Sequence, residues 1–224
     1  MKIGAITVGQ SPRVDVTADI LPLWQGKAEL LEAGALDALT YEEILELGPE
    51  RADDHVLVSR LRDGREVTFA ERRILPHLQG CIDRLEAQGV SLIVFFCTGE
   101  FPANFRHKVP ILYPSDVLLR LVPVLCGGSP IAVLTPSQLQ LEQIRVKWER
   151  HVPRAAVFYA SPYGDPAALD RVCARLREAE GDLVVLDCIG YTQAMKRRIA
   201  AATGKQVILA RTLLARVVDE LLDT

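Results

Sequence analysis

Short apolar runs alternate along this chain with longer stretches whose apolar positions recur at helical spacing. The first run, Ile3-Gly-Ala-Ile-Thr7, leads into the polar loop Gly9-Gln-Ser-Pro-Arg13 and then a helix from about Asp15 to Gln25. A short strand is expected at Ala28 to Glu32, followed by an acidic segment, Tyr41 to Leu47, that takes no assigned element. His55 to Leu61 and Glu66 to Phe69 flank Asp63-Gly64, which reads as a β-hairpin with a type I′ turn. Ala70 to Gln88, closed by Gly89, predicts a long helix with a glycine cap. Leu92-Ile-Val-Phe-Phe96 is apolar at every position, as a strand covered on both faces is, and runs into Cys97-Thr-Gly99. Pro102 interrupts any helix directly after that loop. Val109 to Tyr113 predicts a strand, and Asp116 is placed to cap a helix reaching Leu125.

The pattern then starts again. Ile131-Ala-Val-Leu-Thr135 predicts a strand and Ser137 to Arg150 a helix, followed by strand Ala155 to Tyr159 and helix Pro166 to Glu180. Leu183-Val-Val-Leu-Asp187 enters Cys188-Ile-Gly190, with a helix from Tyr191 to Ala202, a strand from Gln206 to Leu209 and a last helix from Thr212 to Leu222. Strands alternating with helices in this way make parallel βαβ units, so the fold class is α/β. The two halves repeat: Ser91-Leu-Ile-Val-Phe-Phe-Cys-Thr-Gly99 aligns without gaps on Asp182-Leu-Val-Val-Leu-Asp-Cys-Ile-Gly190.

Composition adds exclusions. With 49% hydrophobic residues the chain can bury a real core, which excludes disorder. A charge of −3, from 26 Lys+Arg against 29 Asp+Glu, and no basic stripe argue against nucleic acid as partner. The most apolar stretch, Val117 to Leu134, carries Arg120, Pro123 and Gly127-Gly128 and does not read as a membrane span. The N-terminus lacks signal-peptide architecture, and five cysteines without a CxxC spacing suit free thiols in a cytoplasmic protein. There is no zinc pattern, P-loop or Gly-x-Gly-x-x-Gly, and the four histidines share no metal-ligand spacing, so neither metal nor nucleotide is expected.

The repeat turns two of those cysteines into a candidate site. Ligands of open parallel sheets sit at the carboxyl ends of the strands. Two related halves, each offering one cysteine there, would set two thiols facing each other across an interdomain cleft. Inverting a stereocentre beside a carboxylate needs a base on one face and an acid on the other, and a thiolate/thiol pair meets that need. Cys188 precedes the expected helix at Tyr191, whose dipole favours a thiolate. Backbone N–H groups around Thr98, Gly99, Ile189 and Gly190 are expected to hold the enediolate. Cys81, Cys126 and Cys173 read as packing residues. Arg13 either grips a substrate carboxylate or pairs with Asp15 or Asp19, and Tyr113 reads as core rather than cleft lining. Asp187 is expected to point to the other face of its strand and form a structural hydrogen bond.

The residues Ile3-Gly-Ala-Ile-Thr-Val-Gly-Gln-Ser-Pro-Arg-Val-Asp15 and Leu186-Asp-Cys-Ile-Gly-Tyr191 resemble the AroM family, and the resemblance runs over essentially the whole chain. That family is similar to the aspartate/glutamate racemase superfamily. The resemblance implies two pseudo-symmetric Rossmann-like parallel-sheet halves, 1–100 with 210–224 and 101–209, and an active site in the cleft between them. It implies one cysteine from each half and no cofactor, neither pyridoxal phosphate nor a metal. Carried over by position, Cys97 with Thr98 and Cys188 with Gly190 and Thr192 match the catalytic loops. Gly9, Gln10, Ser11 and Arg13 match the substrate loop of the first half, and Thr135 and Ser137 that of the second. Asp187 stands where the superfamily usually has Gly, and Gly9-Gln10-Ser11 departs from the Asp-Ser-Gly of glutamate racemases, which argues against glutamate as substrate.

The expected activity is a cofactor-independent racemase or epimerase of a small carboxylate. The alternatives are cysteine-dependent cis–trans isomerisation, decarboxylation, or a non-catalytic small-molecule binder on the same scaffold. The oligomeric state is left open, a homodimer included.

Overall fold

The alternating pattern folds into two parallel sheets, seen here in a computed structural model that describes residues 1–51, 54–101 and 105–222. The chain opens with β1 (Lys2–Thr7), α1 (Val14–Trp24), β2 (Glu29–Gly34) and α2 (Tyr41–Glu46). The hairpin β3 (Val56–Arg60) and β4 (Glu66–Ala70) and the long α3 (Glu71–Ala87) lead to β5 (Leu92–Phe95) and β6 (Ile111–Leu112). Then come α4 (Pro114–Cys126), β7 (Ile131–Thr135), α5 (Leu141–Glu149), β8 (Ala155–Tyr159) and α6 (Pro166–Glu178). The last elements are β9 (Leu183–Leu186), α7 (Gln193–Thr203), β10 (Gln206–Leu209) and α8 (Ala210–Glu220). Two units result, Met1–Pro114 with Ala215–Thr224, and Ser115–Leu214. The chain thus returns to the first unit within α8, where the Trp24 indole N–H donates to the Ala215 carbonyl at 2.9 Å.

The repeat seen in the sequence is kept in strand order and in register. One sheet runs β2-β1-β5-β6, and the other, read from its far edge, runs β8-β7-β9-β10, all parallel. Ile3 lies opposite Leu92 and Ile6 opposite Phe95; Ile131 lies opposite Leu183 and Leu134 opposite Leu186. The ladder continues by one bond in both halves, Phe96 N–H to Ile6 O at 2.7 Å and Asp187 N–H to Leu134 O at 2.9 Å. Phe96 and Asp187 therefore hold the same place, and so do Cys97 and Cys188. The strands β5, β7 and β9 are buried throughout, as runs without a polar face require. The hairpin β3-β4 forms a separate two-stranded sheet.

Several expectations need correction. Tyr41 to Glu46 is a helix, closed by a capping box in which Thr40 Oγ1 accepts the Glu43 N–H and Glu43 accepts the Thr40 N–H. The pattern Thr-x-x-Glu carries that signal in the sequence. The hairpin turn is not type I′, because Gly64 has φ +91° but Asp63 does not share the left-handed region. Gly64 N–H closes a turn on Leu61 O at 3.0 Å, and the left-handed glycine follows it, the arrangement of a turn with a bulge. Asp116 lies inside the first turn of α4 rather than at its cap, since the helix begins at Pro114. The helix expected from Ser137 splits into a 3-10 turn, Gln138–Gln140, and α5, with the Ser137 hydroxyl oxygen capping the turn at Leu139 N–H. The expected strand at Val109 to Tyr113 shortens to β6. Pro102 lies outside the described residues.

Candidate active site

In the first unit the loop after β1 is tied down by carboxylates of its own neighbourhood. The N–H and hydroxyl of Ser11 donate to the two oxygens of Asp37 at 2.7 and 2.6 Å, and Asp37 also accepts the Gly34 N–H and an Arg62 guanidinium N–H, each at 2.7 Å. Gln10 reaches the Leu36 carbonyl with its amide N–H at 3.4 Å and accepts the Arg62 N–H at 3.1 Å. Arg13 is buried, and its guanidinium forks onto Asp15 through Nε and Nη2, both at 2.8 Å. Thr7 Oγ1 accepts from Gly9 N–H and Arg13 Nη1, both at 3.3 Å. The pairing of Arg13 with Asp15, one of the alternatives weighed, is thus present.

This closure depends on the absence of a side chain at the end of β2. A Cβ at Gly34 would lie 2.6 Å from Ser11 N and 2.7 Å from Gly9 O, both backbone atoms that a rotamer change cannot move. Gly34→Ala is therefore expected to destabilise the protein by about 1–3 kcal/mol through overpacking, read as a fall in denaturation midpoint.

Cys97 follows β5 directly, and the Gly99 N–H points at its sulfur at 3.3 Å. In the second unit Cys188 follows β9, and the Gly190 N–H points at its sulfur, also at 3.3 Å. Both cysteines are buried. These two N–H groups are thus directed at sulfur, whereas the sequence assigned them to a substrate oxyanion. An N–H aimed at sulfur interacts more strongly with a thiolate than with a thiol, as charge-assisted hydrogen bonds do.

The second unit holds the other candidate groups. The Thr135 hydroxyl donates to Gln140 Oε1 at 3.2 Å. Thr192 Oγ1 accepts the Met195 N–H at 3.1 Å and caps α7. Because the Ser137 and Thr192 oxygens act here as acceptors, each hydroxyl keeps a proton to donate. Asp187 does point away from its neighbour: it packs with α5, where Lys147 Nζ donates to its oxygens at 3.0 and 3.2 Å and the Trp148 indole N–H at 2.7 Å. The remaining cysteines behave as packing residues. Cys81 is fully buried and burial pushes its thiol up to about 11; burial also raises Cys173, while Cys126 is partly exposed. Tyr113 packs against Phe95, with ring centroids 4.8 Å apart.

A family model described as AroM protein matches residues 3–222. The chain belongs to the AroM family. Its fold is that of several solved enzymes at low sequence identity. Allantoin racemase from Pseudomonas fluorescens superposes with a TM-score of 0.63 at 15% identity, over 99% of this chain and 91% of that one. Maleate isomerase from Pseudomonas putida S16 gives 0.61 at 16%, covering 100% and 93%, and glutamate racemase from Aquifex pyrophilus gives 0.60 at 15%, covering 99% and 84%. The AroM chain therefore shares its α/β fold with these enzymes. No curated protein matches it in sequence. Among the described residues, no group of three or more His, Cys, Asp or Glu is placed to hold a metal, and no helix is long and apolar enough to cross a membrane.

Asp37 and Glu71 are among the groups near the candidate residues that escaped the sequence reading. Asp37, which organises the Ser11 loop, lies 26 residues from it, and no local pattern links them. Glu71 opens α3, and burial, reinforced by the carboxylate of Glu100 next to the Cys97 loop, pushes its carboxyl up to about 7. The folded protein then keeps a proton that the unfolded chain releases near its ordinary value of 4.5. Stability is full below that value, declines as the pH rises towards about 7, and levels off above it. Glu71→Gln should flatten this decline in urea midpoints measured across the same range, while leaving stability at acidic pH unchanged.

Proposed function

We propose that this AroM protein is a cofactor-independent isomerase, a racemase or epimerase, of a small carboxylate-bearing substrate, with Cys97 and Cys188 as its acid/base pair. The observation that carries this reading is the equivalence of the two thiols. Each stands one residue past the last ladder bond of the same strand in its sheet, and each sulfur faces the N–H of the second residue after it at 3.3 Å. Cysteines kept only for packing have no need of matched loops.

In the proposed reaction one sulfur, as thiolate, takes the proton from the carbon beside the carboxylate and becomes a thiol. The electron pair left behind is delocalised onto the carboxylate as an enediolate. The other thiol then delivers its proton to the opposite face, and the pair ends with its protonation exchanged. Ser137 and Thr192, with hydroxyl protons to give, are the groups we assign to the carboxylate, whereas the Gly9 N–H, the Gln10 amide and both Ser11 donors are engaged by Thr7, Leu36 and Asp37. Arg13 is better read as a brace of the loop after β1, since its fork rests on Asp15.

The test is solvent deuterium incorporation beside the carboxylate across a panel of small carboxylates. Exchange that disappears in both Cys97→Ser and Cys188→Ser supports the reading; exchange that survives both changes rules it out.

A further inference from the structure

The Cys188 loop is held from behind by a fully buried guanidinium. Arg211 Nε donates to the Ile189 carbonyl at 2.9 Å and Nη2 to the Gly190 carbonyl at 3.0 Å. The Ile189 carbonyl belongs to the same peptide plane as the Gly190 N–H, and that N–H is the one directed at Cys188 Sγ. A cation drawing on the carbonyl end of a peptide makes its N–H a stronger donor, because hydrogen bonds in a chain polarise one another. Arg211 thus acts on the sulfur through one peptide unit.

Packing alone does not account for this residue. Arg211 sits in the first turn of α8, where a cation faces the positive end of the helix dipole, and it is removed from water as well. The repeat supplies the comparison. Ile111 lies opposite Ile93 and Val207 opposite Val184, so the positions four residues further on, Ser115 and Arg211, are equivalent. Both side chains are buried, but the first half has a short neutral hydroxyl where the second has a guanidinium. The matched cysteine loops therefore differ at this equivalent position.

We propose that Arg211 is a positioning residue that holds Cys188, through the Ile189–Gly190 peptide, as the thiolate of the resting pair, leaving Cys97 as the thiol. The assignment of base and acid rests on the isomerase reading; the ionisation of Cys188 does not. Charged or titratable groups near Cys188 include, among the described residues, Asp187 and Lys147, which pair with each other, and two tyrosines. Tyr191 donates its hydroxyl to Ala160 O at 2.7 Å, and the Tyr163 ring packs over Gly190, where a Cβ would meet its hydroxyl at 2.3 Å.

Thiolate ultraviolet absorbance, titrated in the intact protein and in Cys188→Ser and Cys97→Ser, isolates each sulfur by difference without requiring reagent access. Cys188 is expected to ionise at lower pH than Cys97. Arg211→Gln should raise the Cys188 midpoint by about one pH unit, a tenfold loss of thiolate near neutrality, and leave that of Cys97 in place. Arg211→Lys keeps the charge but loses the planar fork, so a smaller shift in the same direction is expected, and it serves if the glutamine variant does not fold. The proposal is overturned if Cys188 does not ionise below Cys97 in the unmodified protein. It is equally overturned if a folded Arg211 variant leaves the Cys188 midpoint unmoved or shifts both cysteines alike. Titration as expected with no deuterium exchange on any carboxylate would sink the isomerase reading alone; exchange without the Cys188 shift would sink this proposal alone.

Discussion

Cys97→Ser and Cys188→Ser are each expected to slow interconversion of substrate stereoisomers by about 10²–10⁴-fold, the range that a positioned general acid or base contributes. Serine is nearly the same shape as cysteine, and its oxygen can accept the Gly99 or Gly190 N–H that now faces sulfur. The fold should therefore survive, with circular dichroism and urea midpoint close to those of the parent. What is lost is acidity: a hydroxyl releases its proton far less readily than a thiol and makes a poor resting base. Loss in both variants is expected because a two-sided transfer needs both members. Chiral chromatography of the product gives the rates, and a variant that keeps the parental rate while folded would overturn the role of that cysteine. Cys173→Ser, in a residue buried on α6, serves as the control that leaves the rate unchanged.

Lys147→Met is expected to destabilise the protein by about 3–5 kcal/mol, the cost of leaving a buried carboxylate without its cation. Lys147 and Asp187 are both almost completely buried, and the Trp148 indole is the second donor to the same carboxylate. Removing the ammonium leaves Asp187 with the indole N–H against a charge taken out of water. Against a typical total of about 5–15 kcal/mol, this is a large fraction of the stability. The repeat indicates the remedy, because Phe96 occupies the place of Asp187 in the first half and is buried there. The double change Lys147→Met with Asp187→Leu should therefore recover most of the loss. Equilibrium urea unfolding followed by circular dichroism measures both; a single variant within about 0.5 kcal/mol of the parent, the range of ordinary surface substitutions, would refute the argument.

Much of this architecture is legible in the chain itself. Strands such as Leu92–Phe95 and Leu183–Leu186 are apolar at every position because both faces are covered, and that marks them before any coordinates are known. The gapless match of Ser91–Gly99 to Asp182–Gly190 carries the register of both sheets and the equivalence of the two cysteines. Glycine and capping signals are local as well, which is why Gly89 closes α3 as expected and why the missed helix at Tyr41 had a readable Thr40–Glu43 box.

The site is legible only in part, and distance along the chain is the reason. Hydrophobic periodicity reports what a residue does within its own element, so it could place Cys97 and Cys188 at strand ends. It carries no information about which distant side chain arrives beside them. Asp37 reaching Ser11, Lys147 reaching Asp187 and Arg211 reaching Ile189 span 26, 40 and 22 residues, each crossing at least one element. These pairings exist because parallel strand order and its crossovers deliver the partners, and because a buried polar group must find one. The repeat of two thiols was thus written in local pattern. The difference between Arg211 and Ser115 at equivalent positions became visible once strand register aligned residues that no sequence spacing connects.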